Sequence, residues 1–118
     1  MPITLYGIAR CDTVKRARAW LAAEDVEVRF HDFKRDGLTS SQLAPWLHAL
    51  GWEALLNRKG TTWRRLDDAA RASAHDAAGA SALMLAHPSL VKRPVVVWAD
   101  ASVSVGFDPA RFAALCRR

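Results

Sequence analysis

The stretch Ile3-Thr-Leu-Tyr-Gly-Ile-Ala-Arg-Cys-Asp-Thr-Val-Lys-Arg-Ala-Arg-Ala-Trp-Leu21 decides the fold, because it predicts a short strand, a tight loop and then a helix. The apolar run Ile3 to Leu5 predicts the strand, which Gly7 ends. The helix is predicted over Asp12 to Glu24. Cys11 therefore lies at the first turn of a helix, where unpaired backbone N–H groups and the helix dipole favour a thiolate. Since the thiolate is the nucleophilic form of cysteine, Cys11 is the first candidate for a catalytic residue.

Three further strands and a closing helix are predicted from the rest of the chain. Val26 to Phe30 alternates as a strand does, which makes the first segment a parallel strand–helix–strand unit. Pro94 to Trp98 is a continuous apolar run, and Val103 to Val105 is predicted as a half-exposed strand antiparallel to it. Asp108-Pro109 caps the closing helix. This order predicts an α/β protein with a thioredoxin-like fold and a mixed four-stranded sheet.

The segment between the two halves predicts an inserted helical subdomain, whose first helix has clear end signals. Thr39 and Gln42 form a capping-box signal, and Gly51 closes the helix. Pro45 would remove one hydrogen bond from this helix unless it lies in the first turn, so the boundary stays open.

A polar, turn-rich loop over Asn57 to Thr62 follows this helix. An alanine-rich helical stretch is then predicted from about Trp63 to Ala86. It is predicted to break near Ser73–Asp76 and around Gly79, because these residues favour turns over helix interiors.

Length limits the chain to a single domain over residues 1–118. We predict that 1–34 and 91–118 form the thioredoxin-like core and that 35–90 is the helical insertion. In this arrangement Cys11 lies at the carboxyl end of a central strand, where open α/β sheets place their ligands.

Composition excludes several classes of protein. The net charge is +5, but the basic residues are scattered among 12 acidic ones, so we predict no direct contact with nucleic acid. No apolar run is long enough to span a membrane and no leader is visible, so a cytoplasmic protein is predicted. Two cysteines argue against a disulfide framework. No metal is predicted, because none of the histidines has metal-ligand spacing to the cysteines. These histidines are His31, His48, His75 and His87.

Three motifs together resemble the arsenate reductase (ArsC)/Spx/YffB family. They are Leu5-Tyr-Gly-Ile-Ala-Arg-Cys-Asp-Thr13, Asn57-Arg-Lys-Gly-Thr-Thr-Trp-Arg64 and His87-Pro-Ser-Leu-Val-Lys-Arg-Pro-Val-Val96. The resemblance covers nearly the whole chain, and Gly60-Thr-Thr-Trp-Arg64 is most similar to the YffB-type branch. It implies a thioredoxin-like fold with a helical insert and glutathione-linked thiol chemistry.

The resemblance assigns roles to five residues. Cys11 would be the nucleophile that attacks an oxyanion or a glutathione disulfide. Arg58 and Arg93 resemble the anion-gripping arginines, since guanidinium forks hold oxyanions and carboxylates in bidentate fashion. Thr13 would donate its hydroxyl to the sulfur or the substrate, or act only as a cap residue. Pro94 resembles the cis-proline of thioredoxin-like folds, where a cis bond would expose backbone groups to the peptide part of glutathione.

The sequence also departs from the family pattern. Gly7 replaces the histidine of the arsenate reductase branch, and Lys15 only partly substitutes for its arginine and is retained as a substrate contact. Residues 104–107 lack the third arginine of that branch. Val14 stands where the redox-switch regulators carry a second cysteine, so a local disulfide is excluded. Cys116 is predicted to be buried in the closing helix. Asp12 next to Cys11 opposes thiolate formation, and Arg10 and Lys15 are candidates to compensate for it.

Two functions remain open. The first is a glutathione-dependent monothiol reductase of a disulfide, a mixed disulfide or a small oxyanion, with glutathione as co-substrate and glutaredoxin as a further candidate partner. The alternative is an Spx-like transcriptional regulator that binds RNA polymerase without turnover. The reductase is favoured, because the alternative's redox-switched form needs the missing second cysteine.

Overall fold

A computed structural model describes residues 2–117. The chain divides into two compact units: Met1–Asp36 with Arg93–Arg118, here called the sheet unit, and Gly37–Lys92, here called the helical unit. Each boundary lies two residues further along the chain than the sequence analysis placed it.

Four strands form the sheet of the sheet unit. They are β1 (Ile3–Gly7), β2 (Val28–Asp32), β3 (Val95–Val97) and β4 (Val103–Val105), in the spatial order β2-β1-β3-β4. β1 is parallel to β2 and antiparallel to β3, and β3 is antiparallel to β4. This is the mixed four-stranded sheet that the sequence predicts.

Strand β2 begins two residues later than predicted, because residues before it complete the end of a helix. Helix α1 spans Asp12–Ala23, and the N–H of Val26 still donates to the Leu21 carbonyl oxygen at 3.0 Å. Asp25 between them adopts a left-handed conformation with φ of 57°. This is the Schellman arrangement that closes many helices, and it delays strand pairing until Val28 meets Ile3.

Two longer helices of the sheet unit share one core with the sheet. They are α1 and α8, and α8 spans Pro109–Cys116. A third, short helix, α2, spans Phe33–Asp36. Asp108 caps α8 as predicted, since its carboxylate accepts a hydrogen bond from the N–H of Ala110 at 3.1 Å. The shared core consists of buried side chains from α1, α8, the strands β1 and β3, and the residue directly after β3: Ile3, Leu5, Val14, Ala17, Leu21, Val96, Trp98 and Phe112.

Strand β4 buries its polar residue. Ser104 is 1% exposed, whereas Val103 and Val105 are only half-buried. Ser104 pairs with Val96, which belongs to the shared core, and its hydroxyl accepts a hydrogen bond from Trp98 Nε1 at 2.9 Å. The serine therefore satisfies the buried indole N–H, which alternation of apolar and polar residues alone does not indicate.

The helical unit contains five helices and a 3₁₀ turn among its described residues. These are α3 (Ser40–Leu50), α4 (Trp52–Leu55), α5 (Thr61–Arg65), α6 (Asp68–Ser73), α7 (Ala77–Ala86) and the turn Pro88–Leu90. The predicted capping box of α3 is confirmed, and α3 continues through Pro45 to end before Gly51. Within residues 2–117, no helix combines the length and apolar character that crossing a membrane requires.

The predicted break at Ser73–Asp76 is confirmed, but the one at Gly79 is wrong. Gly79 lies in the first turn of α7, and its N–H donates to the Asp76 carboxylate at 2.8 Å. A Cβ at this position would lie 1.7 Å from the Ser73 carbonyl oxygen. Gly79 is therefore required for the close approach of α6 to α7, and it does not end the helix.

Candidate active site

Cys11 is the residue that begins helix α1. Its N–H donates to the Ile8 carbonyl oxygen at 3.1 Å, which closes the loop after β1 into a turn. Its own backbone is extended, and its carbonyl oxygen accepts the hydrogen bond of Lys15 N–H at 2.9 Å. These bonds fix Cys11 as the N-cap, the position that faces the open N–H groups of a helix.

The surroundings of the Cys11 thiol lower its pKa below the ordinary value. Partial burial is the largest single effect and raises the pKa, but hydrogen bonds from the Val14 N–H, the Arg93 side chain and the Thr13 N–H outweigh it together with the Arg93 charge. The sulfur does not form a regular side-chain cap bond. These interactions favour the thiolate, because hydrogen bonds to a charged sulfur are stronger than those to a neutral thiol.

Arg93 reaches Cys11 because of the way β3 pairs with β1. Tyr6 near the carboxyl end of β1 pairs with Val95 at the start of antiparallel β3. Arg93 precedes Val95 by two residues and so lies beyond the same end of β1 as the Cys11 loop. The Arg93–Pro94 peptide bond is cis. Pro94 is buried, and its carbonyl oxygen accepts a hydrogen bond from Gly106 N–H at 2.8 Å.

The proposed compensation of Asp12 by Arg10 and Lys15 is wrong. All three side chains are exposed, and none of them contributes to the shift of the Cys11 pKa. Arg93, 82 positions away in sequence, supplies the positive charge instead. Sequence reasoning placed Arg93 at the correct end of the sheet but assigned it to the substrate and missed its contact with the sulfur.

Thr13 and Val14 act on Cys11 through their backbones. The N–H groups of both residues lower the Cys11 pKa, although neither forms a regular cap hydrogen bond with the sulfur. The half-buried Thr13 side chain is not among the groups that shift the Cys11 pKa, and a contact of its hydroxyl with the sulfur stays a prediction. A contact of the Thr13 hydroxyl with substrate, and of the Lys15 side chain likewise, stays a prediction.

The start of α1 leaves no free space for a side chain at Gly7. A Cβ on Gly7 would lie 2.7 Å from Cγ2 of Val14, and Val14 is fully buried in the shared core. A side chain at position 7 therefore requires Val14 to move. Gly7 departs from the arsenate reductase pattern and Val14 from the regulator pattern. The two residues pack directly against each other, so the two departures are linked.

Cys116 lies too far from Cys11 to form a disulfide with it. It lines a small surface cavity beside Trp20 and Glu24, at the other end of α1. These residues are 9 and 13 positions beyond Cys11, so a helical rise of 1.5 Å per residue puts them roughly 14 and 20 Å away. Disulfide formation requires Cα atoms within about 7 Å. Cys116 is half-buried, less than predicted, and burial followed by the Glu24 charge raises its pKa.

Arg58 lies in the helical unit, on the loop before α5. Its guanidinium carbon is 5.3 Å from the ring centroid of Trp52 and 5.9 Å from that of Trp63, and Nη2 lies 3.5 Å from the Ala74 carbonyl oxygen. Of the tryptophans, Trp46 and Trp98 are buried in the core. Trp52 and Trp63 are half-buried and contact a cation instead.

The described part of the chain offers no group of three or more His, Cys, Asp or Glu side chains arranged to hold a metal ion.

Two solved structures resemble the whole chain. A YFFB protein is 45% identical over 97% of this chain and 98% of its own, with a TM-score of 0.90. An arsenate reductase (ArsC) related protein from Brucella melitensis is 48% identical over 97% of this chain and 93% of its own, with a TM-score of 0.74. These similarities confirm the thioredoxin-like fold with its helical insert.

Curated relatives extend the same pattern. An uncharacterized protein of Haemophilus influenzae is 38% identical over 95% of this chain and 96% of its own length. The global transcriptional regulator Spx of Streptococcus pyogenes is 25% identical over 98% of this chain and 86% of its own. The family resemblance predicted from the three motifs is confirmed, because the ArsC family model matches residues 6–115 and this chain is a member of the ArsC family.

Proposed function

We propose that this protein is a glutathione-dependent monothiol reductase whose preferred substrates are disulfides that contain glutathione. The observation that carries the proposal is the position of Cys11 as N-cap of α1, where the Val14 and Thr13 N–H groups and the Arg93 guanidinium lower its pKa. These donors stabilise a thiolate at the start of α1, and a thiolate is the form of cysteine that attacks a disulfide.

The reaction has two exchange steps that balance. The Cys11 thiolate attacks the glutathione sulfur of a mixed disulfide, so that the Cys11–glutathione disulfide forms and the substrate leaves as a thiolate. A second glutathione, as its thiolate, then attacks the glutathione sulfur attached to Cys11. This step releases oxidised glutathione and regenerates the Cys11 thiolate. In the sum of the two steps, one glutathione thiol is consumed and one substrate thiol is released, so that the disulfide passes from the substrate to oxidised glutathione.

A one-cysteine mechanism follows from the position of the second thiol. Cys116 lies beside the far end of α1, and Val14 occupies the position from which a local cysteine could resolve the intermediate. An external thiol must therefore complete the reaction, and glutathione or a glutaredoxin is the proposed donor. Because this chemistry depends on a reduced glutathione pool, the proposal places the protein in the cytoplasm.

Several residues are proposed to bind the substrate. Glutathione carries two carboxylates, which guanidinium forks hold well, so Arg93 and Arg58 are the proposed anion contacts. Thr13 and Lys15 in the first turn of α1 and Pro94 at the start of β3 complete the proposed set. Arg93 would have a double role, because the same guanidinium that stabilises the Cys11 thiolate would meet an anionic substrate.

Small oxyanions such as arsenate are the weaker candidates for this site. The histidine that the resemblance places at position 7 would require Val14 to move, since Val14 Cγ2 lies 2.7 Å from a Cβ there. Lys15 is exposed and lacks the fork of an arginine. The proposal therefore assigns disulfides as the main substrate class and predicts much slower arsenate reduction.

Mass spectrometry of single turnovers tests the proposal. Reaction with a glutathionylated peptide and no free glutathione should convert Cys11 to its glutathione adduct, and added glutathione should remove the adduct with release of oxidised glutathione. Cys11→Ser should form no adduct at that site. An unchanged rate of glutathione-dependent reduction in Cys11→Ser would refute the reductase.

The regulator remains the alternative, because the Spx of Streptococcus pyogenes aligns over 98% of this chain. That alignment reaches only 25% identity, and the buried Val14 replaces the second cysteine of the redox switch. Capture of purified RNA polymerase by the immobilised protein, retained in Cys11→Ser, would favour the regulator over the reductase.

A further inference from the structure

The Asn57–Arg64 motif contains more than the arginine that the proposed function uses. Arg58 is placed among aromatic rings, and neighbouring residues of the motif bond to the loop that carries it. We propose that Trp52, Trp63 and Arg64 are positioning residues that hold the Arg58 guanidinium ready for an anionic group of the substrate. The inference rests on the proposed anion-binding role of Arg58 and extends it to residues that have no assigned role.

Two indole rings lie beside the guanidinium of Arg58. Its central carbon lies 5.3 Å from the centroid of Trp52 and 5.9 Å from that of Trp63, both within the range of cation–π attraction. Nη2 is directed to the Ala74 carbonyl oxygen at 3.5 Å. The rings and the carbonyl limit the rotamers of a long side chain, which lowers the entropy that binding an anion would cost.

The contacts of Arg58 leave its positive charge without a carboxylate. Among residues 2–117, the ion pairs of arginines join Arg35 to Asp36 and Arg71 to Asp68, and none involves Arg58. Arg71 also donates Nη1 to the Leu66 carbonyl oxygen at 2.6 Å, so it is a structural brace. Arg58, in contrast, combines fixed surroundings with an uncompensated charge, which is the combination that recognition of an anion requires.

The loop that carries Arg58 is fixed from both of its sides. Asn57 Oδ1 accepts a hydrogen bond from the Lys59 N–H at 3.0 Å, and Arg64 Nη1 donates to the Lys59 carbonyl oxygen at 3.2 Å. A Cβ on Gly60 would lie 2.9 Å from Asn57 Nδ2. Asn57, Gly60 and Arg64 therefore hold the backbone on either side of Arg58, while Trp52 and Trp63 hold the end of its side chain.

Binding of S-methylglutathione, measured by calorimetry, tests this inference without any reaction at Cys11. Arg58→Met should weaken binding about 10- to 100-fold, as expected for the loss of a charge-assisted contact. Trp63→Leu should weaken it roughly two- to fivefold, the effect of one exposed cation–π contact. Trp63→Phe retains an aromatic face and should bind nearly as well as the original protein.

A double-mutant cycle separates positioning from general damage to the fold. In the Arg58→Met background, Trp63→Leu should cause no further loss of S-methylglutathione binding, because the group that it positions is absent. The Nε–Hε resonance of Arg58, assigned by its loss in Arg58→Lys, should move in Trp63→Leu toward the shift of an arginine that contacts no aromatic ring. Leu43→Ala is the control, since it removes a buried side chain of α3 and should lower stability without changing binding.

Three results would overturn the inference. They are unchanged binding in Arg58→Met, an unmoved Arg58 resonance in Trp63→Leu, and an equal loss of binding from Trp63→Leu with and without Arg58. None of these results would contradict the proposed role of Cys11 as nucleophile, because that role is tested separately by formation of the glutathione adduct. Conversely, failure of Cys11 to form the adduct would refute the reductase while the binding measurements still decide the role of the rings.

Discussion

The two cysteines of this protein lie at opposite kinds of helix end, and their pKa values shift in opposite directions. Cys11 begins α1 and Cys116 ends α8, yet both are half-buried and pack against the same core. Burial raises the pKa of both thiols, but at Cys11 the N–H groups and Arg93 reverse the shift, whereas at Cys116 the Glu24 charge adds to it. The comparison shows that two thiols of similar burial shift their pKa in opposite directions because different groups surround them.

The largest expected difference between the two thiols is in turnover. Cys11→Ser should lower glutathione-dependent reduction of a glutathionylated peptide by at least about a thousandfold, because the nucleophile is lost. Cys116→Ser is the matched control and should stay within about twofold of the original rate, because the proposed mechanism makes no use of this thiol. Comparable losses of activity in the two variants would contradict the assignment of Cys11 alone as the nucleophile.

Removal of Arg93 should make Cys11 more like Cys116. Arg93→Met deletes both the hydrogen bond and the charge that lower the Cys11 pKa. The midpoint of the pH dependence of Cys11 alkylation should therefore rise, and the rate of glutathione adduct formation at neutral pH should fall about 10- to 100-fold. Alkylation of Cys116, followed in the same samples by mass spectrometry, should not change. A midpoint for Cys11 that stays constant would exclude Arg93 as its main cationic partner.

A methyl group on Gly7 should disturb the start of α1 and leave the end of α8 intact. Since the new Cβ would lie 2.7 Å from Val14 Cγ2, Gly7→Ala should cost about 1–3 kcal/mol in the free energy of unfolding measured with urea. Val14→Ala in the same chain removes the clash, so the double variant should be more stable than the sum of the two single costs allows. Additive costs would show that the two residues are not coupled.

The smallest expected effect is on stability as the pH changes. The depressed pKa of Cys11 contributes stability that is fully present above the unfolded value of about 8.5 and is lost as the pH falls through the folded pKa. The raised pKa of Cys116 has the opposite sign, so its contribution is present below about 8.5 and is lost as the pH rises through the folded pKa.

Urea unfolding at pH 6 and pH 9.5 measures both signs. Relative to the original protein, Cys11→Ala should lose more stability at the higher pH and Cys116→Ala more at the lower pH. The same sign of change for both variants would contradict the assignment of opposite pKa shifts.

Sequence reasoning succeeded where a signal is local. The capping box of Thr39 and Gln42, the Asp108 cap of α8 and the position of Cys11 at the start of α1 each depend on a few neighbouring residues, and all three are confirmed. It failed where a distant contact decides the outcome. Gly79 favours a helix break in isolation, but the Ser73 carbonyl oxygen requires a glycine inside α7.

By itself, the sequence determined the order of the strands, the family and the candidate nucleophile, because periodicity, caps and motifs are properties of short segments. Only the tertiary structure decided what makes Cys11 acidic. The antiparallel pairing of β3 with β1 brings Arg93 to the sulfur from the far end of the chain, whereas the sequence neighbours Arg10 and Lys15 remain in solvent. Electrostatic influence depends on distance in space and on exposure to water, and neither quantity can be read from separation along the chain.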